Sequence, residues 1–86
     1  MKLKREFITQ QIGDRQYMVA SGTSSFKGMI SSNKTAAYIV DCLKEETTEE
    51  AIVEKMYAKY DASREKISSD VKKVIGILRS VGALDE

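Results

Sequence analysis

Gly28-Met29-Ile30-Ser31-Ser32-Asn33-Lys34-Thr35-Ala36-Ala37-Tyr38-Ile39-Val40-Asp41-Cys42-Leu43 is the stretch in which the chain changes character. Met29 and Ile30 are apolar and suit a short strand, whereas Ala36, Ile39, Val40 and Leu43 recur at the three- and four-residue spacing of one helix face. Asn33 stands at the switch. Its side-chain oxygen can accept one of the backbone N–H groups that a new helix leaves unpaired, so a strand can stop and a helix begin there. Residues before this stretch read as β and residues after it as α.

Upstream, Phe7, Ile8 and Ile12 are followed by Gly13-Asp14 and then by Tyr17, Met18 and Val19. Gly-Asp supplies the positive φ that a tight hairpin turn needs, and the flanking residues suit a half-buried sheet. Ser21 to Ser25 is small and polar and reads as a loop into a third strand at about 26–31. Gly28 within that strand marks either a bulge or an edge where another backbone comes close.

Downstream, Thr47 with Glu50 has the spacing of a capping box. The helix that follows buries Ile52, Val53, Met56 and Tyr60 and ends near Asp61. Ser63 caps a third helix whose apolar residues Ile67, Val71, Val74, Leu78 and Val81 keep a 4, 3, 4, 3 spacing up to Gly82. Ile75 and Ile77 flank that stripe on opposite sides, giving more apolar surface than packing on a small sheet requires. Gly76, unfavourable in a helix interior by about 1 kcal/mol, reads as a site of close helix packing. The expectation is one α+β domain over 1–86, a three-stranded antiparallel sheet (about 6–31) followed by three helices (about 33–44, 48–60 and 63–82) in a winged-helix-like order.

The chain has 86 residues, 14 basic and 13 acidic side chains, one cysteine and no histidine. Near-neutral charge gives no whole-molecule attraction to nucleic acid or an anionic membrane. Cys42 lies among apolar positions, reads as core and has no cysteine to pair with, which suits a reducing, cytoplasmic setting. No run approaches the roughly 20 apolar residues of a membrane span. Without histidine the commonest general base and neutral metal ligand are missing, and the carboxylates fall where capping or solvation explains them. No phosphate loop, Cys-x-x-Cys pair or nucleophile elbow is present. The reading is of a non-enzyme with no catalytic, metal or cofactor residues.

Asn33-Lys34-Thr35-Ala36-Ala37-Tyr38-Ile39 resembles the Asn-x-Thr-Ala-x-x-Ile start of the first helix in the PqqD family. Asp70-Val71, Val74-Ile75, Leu78 and Gly82-Ala83-Leu84 resemble that family's Asp-Val-x-x-Phe-Leu-x-x-Leu-x-x-x-Gly-x-Leu ending. Thr48 and Ile52 fall at its second-helix start, so the resemblance runs from about Phe7 to Leu84. Lys44-Glu45 departs from the Asp-Gly of many members.

The resemblance implies a recognition element for ribosomally made precursor peptides. In the family the leader segment adds a strand to the third strand, lies beside the third helix and is presented to a modifying enzyme, a radical S-adenosylmethionine enzyme in pyrroloquinoline quinone biosynthesis. An edge strand offers unpaired N–H and C=O groups, which gives such capture a physical basis. Carried over, the site comprises Phe26, Lys27, Gly28, Met29 and Ile30 with one stripe of the third helix. That stripe is Lys66, Asp70, Lys73 and Ile77, or alternatively Lys72, Ile75 and Arg79; periodicity leaves both open. Two other functions remain in view: a winged-helix DNA-binding protein, motivated by Arg64, Lys66, Lys72, Lys73 and Arg79 on the third helix, and a weak homodimer formed through the same edge.

Overall fold

The structure, a computed structural model, describes residues 1–20 and 29–86. Its elements in chain order are β1 (Lys2–Leu3), β2 (Phe7–Ile12), β3 (Arg15–Ala20), β4 (Met29–Ser32), α1 (Lys34–Cys42), α2 (Glu49–Lys59), α3 (Arg64–Ser80) and β5 (Leu84–Asp85). The mixed α+β class and the three-stranded antiparallel sheet before three helices are as the sequence predicts. The sheet order is β2-β3-β4. Gly13, at φ +62°, turns β2 into β3 with Ile12 opposite Arg15, and β4 returns antiparallel with Ile30 opposite Met18.

Alternation sorts the sheet's side chains. Phe7, Gln16, Met18 and Ser32 are buried on the inner face against the helices, and Ile8, Ile12, Val19 and Met29 are exposed on the outer face. Ile39, Val40 and Leu43 of the first helical segment, Ile52 and Met56 of α2, and Ile67, Val71, Ile75 and Leu78 of α3 fill the core. Burying one such side chain stabilises the fold by about 1.5–3 kcal/mol, so these residues dominate what holds the helices on the sheet.

The caps show why the elements stop where they do. Asn33 Oδ1 accepts from the Ala36 N–H at 2.9 Å, and Ser63 Oγ accepts from the Lys66 N–H at 3.1 Å, both as expected. The α2 cap falls one residue later than the capping-box spacing predicts. Thr48, not Thr47, accepts from the Ala51 N–H, because Thr47 is tied to the chain start: its N–H donates to the Met1 carbonyl and its carbonyl accepts from the Met1 ammonium. Past α3, Gly82 takes φ +71°, its N–H donates to the Arg79 carbonyl and that of Ala83 to the Leu78 carbonyl, a Schellman ending.

Other expectations are corrected. The buried stripe of α3 is Ile67, Val71, Ile75, Leu78, so Ile75 is core, while Val74 and Val81 are half-buried. A 4, 4, 3 spacing keeps one helix face as well as the predicted one does, and the packing of α3 on α1 and α2 decides between them. Gly76 is not a close-packing site: it faces solvent, and a Cβ added there meets nothing within 4 Å. Tyr60 is the C-cap of α2 and half-buried, edge-on to Tyr38 with ring centres 6.0 Å apart. The β1–β5 pairing, Lys2 with Asp85 and Leu3 with Leu84, was not foreseen, since two-residue strands carry no periodicity.

Candidate functional site

β4 is an edge strand: among the described residues it pairs with β3 alone. The hairpin fixes which of its backbone groups are free. A two-residue turn closes with a hydrogen-bonded pair, here Ile12 and Arg15, and such pairs recur at every second residue along an antiparallel ladder. Tyr17 and Val19 therefore bond to β2, and Gln16 and Met18 turn their N–H and C=O groups toward β4. Their partners Ser32 and Ile30 are thereby engaged. Met29 and Ser31 are left with N–H and C=O pointing outward, two residues apart, in the form that an added strand pairs with.

On the inner side of that edge, Ile30 and Ser32 of β4, Ala36 and Val40 of α1, and Val74 and Ile77 of α3 enclose a cleft of about 70 Å³. It continues into a more polar groove of about 410 Å³ between the start of α1 and α3, lined by Asn33, Thr35, Lys66, Asp70 and Lys73 and sharing Ala36 and Val74 with the cleft. Within the groove Lys66 Nζ donates to Asp70 Oδ1 at 3.0 Å. Among the described residues Lys73 has no carboxylate partner, which leaves a net positive charge at this end.

Of the residues singled out from the sequence, Met29, Ile30, Lys66, Asp70, Lys73 and Ile77 lie along this edge and groove, and Phe26, Lys27 and Gly28 lie outside the described residues. The other α3 stripe faces elsewhere. Ile75 is 1% exposed in the core, Lys72 lies toward α2 beside Glu49 and Glu50, and Arg79 is clamped to Glu86 through Nε at 3.0 Å and Nη2 at 2.7 Å. Ser32 in the cleft, Thr35 in the groove, and Ala36 and Val74 in both are lining residues that were not singled out. Ala36 and Val74 read as core from periodicity, and nothing in the sequence marks them as the core's open margin.

Charge on α3 is largely answered by the chain itself. Arg64 pairs with Glu54, Lys66 with Asp70 and Arg79 with Glu86. The Arg64 hydrogen bond lowers the Glu54 pKa, and the Arg79 hydrogen bond lowers that of Glu86. Three of the five basic residues of α3 thus have a carboxylate partner within the chain. Cys42 is half-buried and burial raises its thiol pKa, which disfavours the thiolate and with it a nucleophilic role. Among the described residues no three His, Cys, Asp or Glu side chains are grouped to hold a metal, and no helix is long and apolar enough to cross a membrane.

The chain matches the family described as Coenzyme PQQ synthesis protein D (PqqD) over residues 16–84. No curated protein gives a significant match. Among solved structures, TbiB1 in complex with the TbiA(beta) leader peptide superposes with a TM-score of 0.77 at 20% identity, over 99% of this chain and 100% of that one. Lasso peptide synthetase B1 complexed with the leader peptide gives 0.76 at 18% identity, over 95% of this chain and 93% of that one. At such identities the two structures speak for the fold, and the family match covers β3, β4, all three helices and the groove between them. The chain belongs to the PqqD family.

Proposed function

We propose that this chain is a non-catalytic carrier that captures the leader segment of a ribosomally made precursor peptide as an added strand on β4 and presents it to a modifying enzyme. That enzyme is of the radical S-adenosylmethionine type if the product is pyrroloquinoline quinone. The supporting observation is the pairing of a free edge with an adjoining groove: Met29 and Ser31 offer main-chain bonds, while Ile30, Val74 and Ile77 offer apolar contact to side chains on the inner face. The leader-bound state of both structural neighbours supports the same reading.

An antiparallel leader enters at the Ser32 end, beside Lys73, and leaves at Met29. Its acidic residues then precede its apolar ones. The working setting is the cytoplasm, where precursor peptides are made.

The test contrasts two proline substitutions. Met29→Pro removes an outward N–H and is expected to abolish binding of candidate leader peptides from the same genome while the circular dichroism stays native. Ile30→Pro removes an N–H already bonded to β3 and is expected to unfold the sheet. Binding by Met29→Pro at unchanged affinity refutes strand addition.

A further inference from the structure

Strand addition at β4 also has a consequence on the opposite face of the sheet. There Ile8 lies opposite Val19 and Val19 opposite Met29, one cross-strand row with exposures of 52%, 40% and 63%. With Ile12 and Tyr17 the row borders a shallow depression of about 380 Å³. Among the described residues no element covers it. Contiguous apolar surface of this kind marks an interaction site more often than scattered exposed residues do.

The row runs out to the free edge, so the strand added to β4 is the next member of it. Residues directly opposite in an antiparallel pair stand on the same face with Cβ atoms about 4.5–5.5 Å apart. The leader residue opposite Met29 therefore projects onto the outer face beside Met29 and extends the row Ile8, Val19, Met29. The residue opposite Ser31 projects to the same side, two positions nearer the leader's N-terminus. There it meets a cation: Arg15 reaches across from β3, its Nε donating to Ser31 Oγ at 2.8 Å, and among the described residues no carboxylate pairs with it.

We propose that the outer face of the sheet is a second specificity surface for the leader, with Met29, backed by Val19 and Ile8, selecting an apolar side chain, and Arg15 an acidic one two residues earlier. The proposal rests on leader capture at β4. It predicts a ligand read on both faces, acidic-x-apolar outward with the intervening residue apolar and turned into the cleft at Ile30, Val74 and Ile77.

A phage-displayed library of random dodecapeptides, selected in parallel on the native chain, Met29→Lys and Arg15→Glu, tests this. Both substitutions are at exposed positions, so the fold is retained. The native chain is expected to enrich the acidic-x-apolar order. Met29→Lys is expected to replace the apolar outward residue by an acidic one, Arg15→Glu to replace the acidic one by a basic one, and both to leave the cleft-facing residue unchanged. The native consensus peptide, made synthetically, is expected to lose up to about fivefold in affinity on Met29→Lys, the upper scale of one cross-strand pair. A consensus that is the same on all three proteins overturns outer-face selection but leaves capture intact, provided the peptides still shift the Met29 to Ser32 amides in NMR spectra. The reversed order, apolar-x-acidic, overturns the antiparallel register assigned here. Failure to enrich any peptide that shifts those amides overturns capture, and outer-face selection with it.

Discussion

Ile75 and Ile77 of α3 are two residues apart and chemically identical, yet the structure gives them opposite roles. Ile75 is 1% exposed among core side chains, whereas Ile77 is 52% exposed at the lip of the cleft beside Ile30. Truncating Ile75 to alanine removes buried atoms and leaves a cavity, a loss of about 2–5 kcal/mol in folding free energy. Truncating Ile77, which folding buries only by about half, leaves no enclosed cavity and costs folding about 1 kcal/mol at most. If a captured peptide covers the exposed half of that side chain, its loss costs binding about 1 kcal/mol, half the burial value of an isoleucine, or roughly a fivefold weaker Kd. Urea denaturation of both variants, with fluorescence anisotropy of a labelled peptide taken from the library selection, separates the two effects. Ile77→Ala is expected to lower the urea midpoint far less than Ile75→Ala does and to bind about fivefold more weakly. Refutation takes either of two forms: Ile77→Ala as unstable as Ile75→Ala, or an unaltered affinity for a peptide that still shifts the β4 amides.

Gly76 faces solvent in mid-helix with open space where a Cβ would stand, so Gly76→Ala is expected to raise stability by about 0.8–1 kcal/mol, read as a higher thermal midpoint with unchanged peptide affinity. A carboxyl pKa held below its unfolded value contributes stability above the unfolded pKa, and that contribution is lost as pH falls through the folded one. Glu86 is lowered chiefly by its hydrogen bond from Arg79, and Glu46 by that from the Met1 ammonium. Acidification below about pH 4.3 is therefore expected to loosen the β1–β5 pairing first, seen as amide shift changes at Leu3 and Leu84 before the core melts. Because both carboxylates are exposed the effect is small, and 1 M salt is expected to reduce it.

The parts of the fold that bury a regular face could be read from the sequence. Asn33 and Ser63 announced their helices because a cap is a local bargain between one side chain and one N–H, and Gly13-Asp14 announced its turn because few residues accept that φ. The corrections fall where a distant partner decides. Thr48 displaced Thr47 as a cap because Met1, 46 residues away, holds Thr47 by its carbonyl. Gly76 looked like a packing device only while the direction of its helix face was unknown. At the candidate site, Met29, Ile30 and Ile77 could be named from pattern and resemblance. Which stripe of α3 lies beside β4 depends on the rotation of the helix about its axis, which periodicity leaves undetermined when apolar residues flank both sides.

One residue, Asn33, separates the last residue of β4 from the first of α1, and both its carbonyl and its side chain are committed to the helix, accepting from Ala37 and Ala36. The edge strand cannot slide by one position without unwinding that first turn, and a slip of one would exchange the cleft face for the outer face. If a leader is captured as proposed, the strand it pairs with therefore presents one fixed alternation of cleft face and outer face. On that proposal a precursor would have a fixed zero: the distance from the captured residues to whatever a partner enzyme modifies would be counted in peptide residues from Met29 onward, so that lengthening or shortening the segment between them would move the modification point rather than the grip.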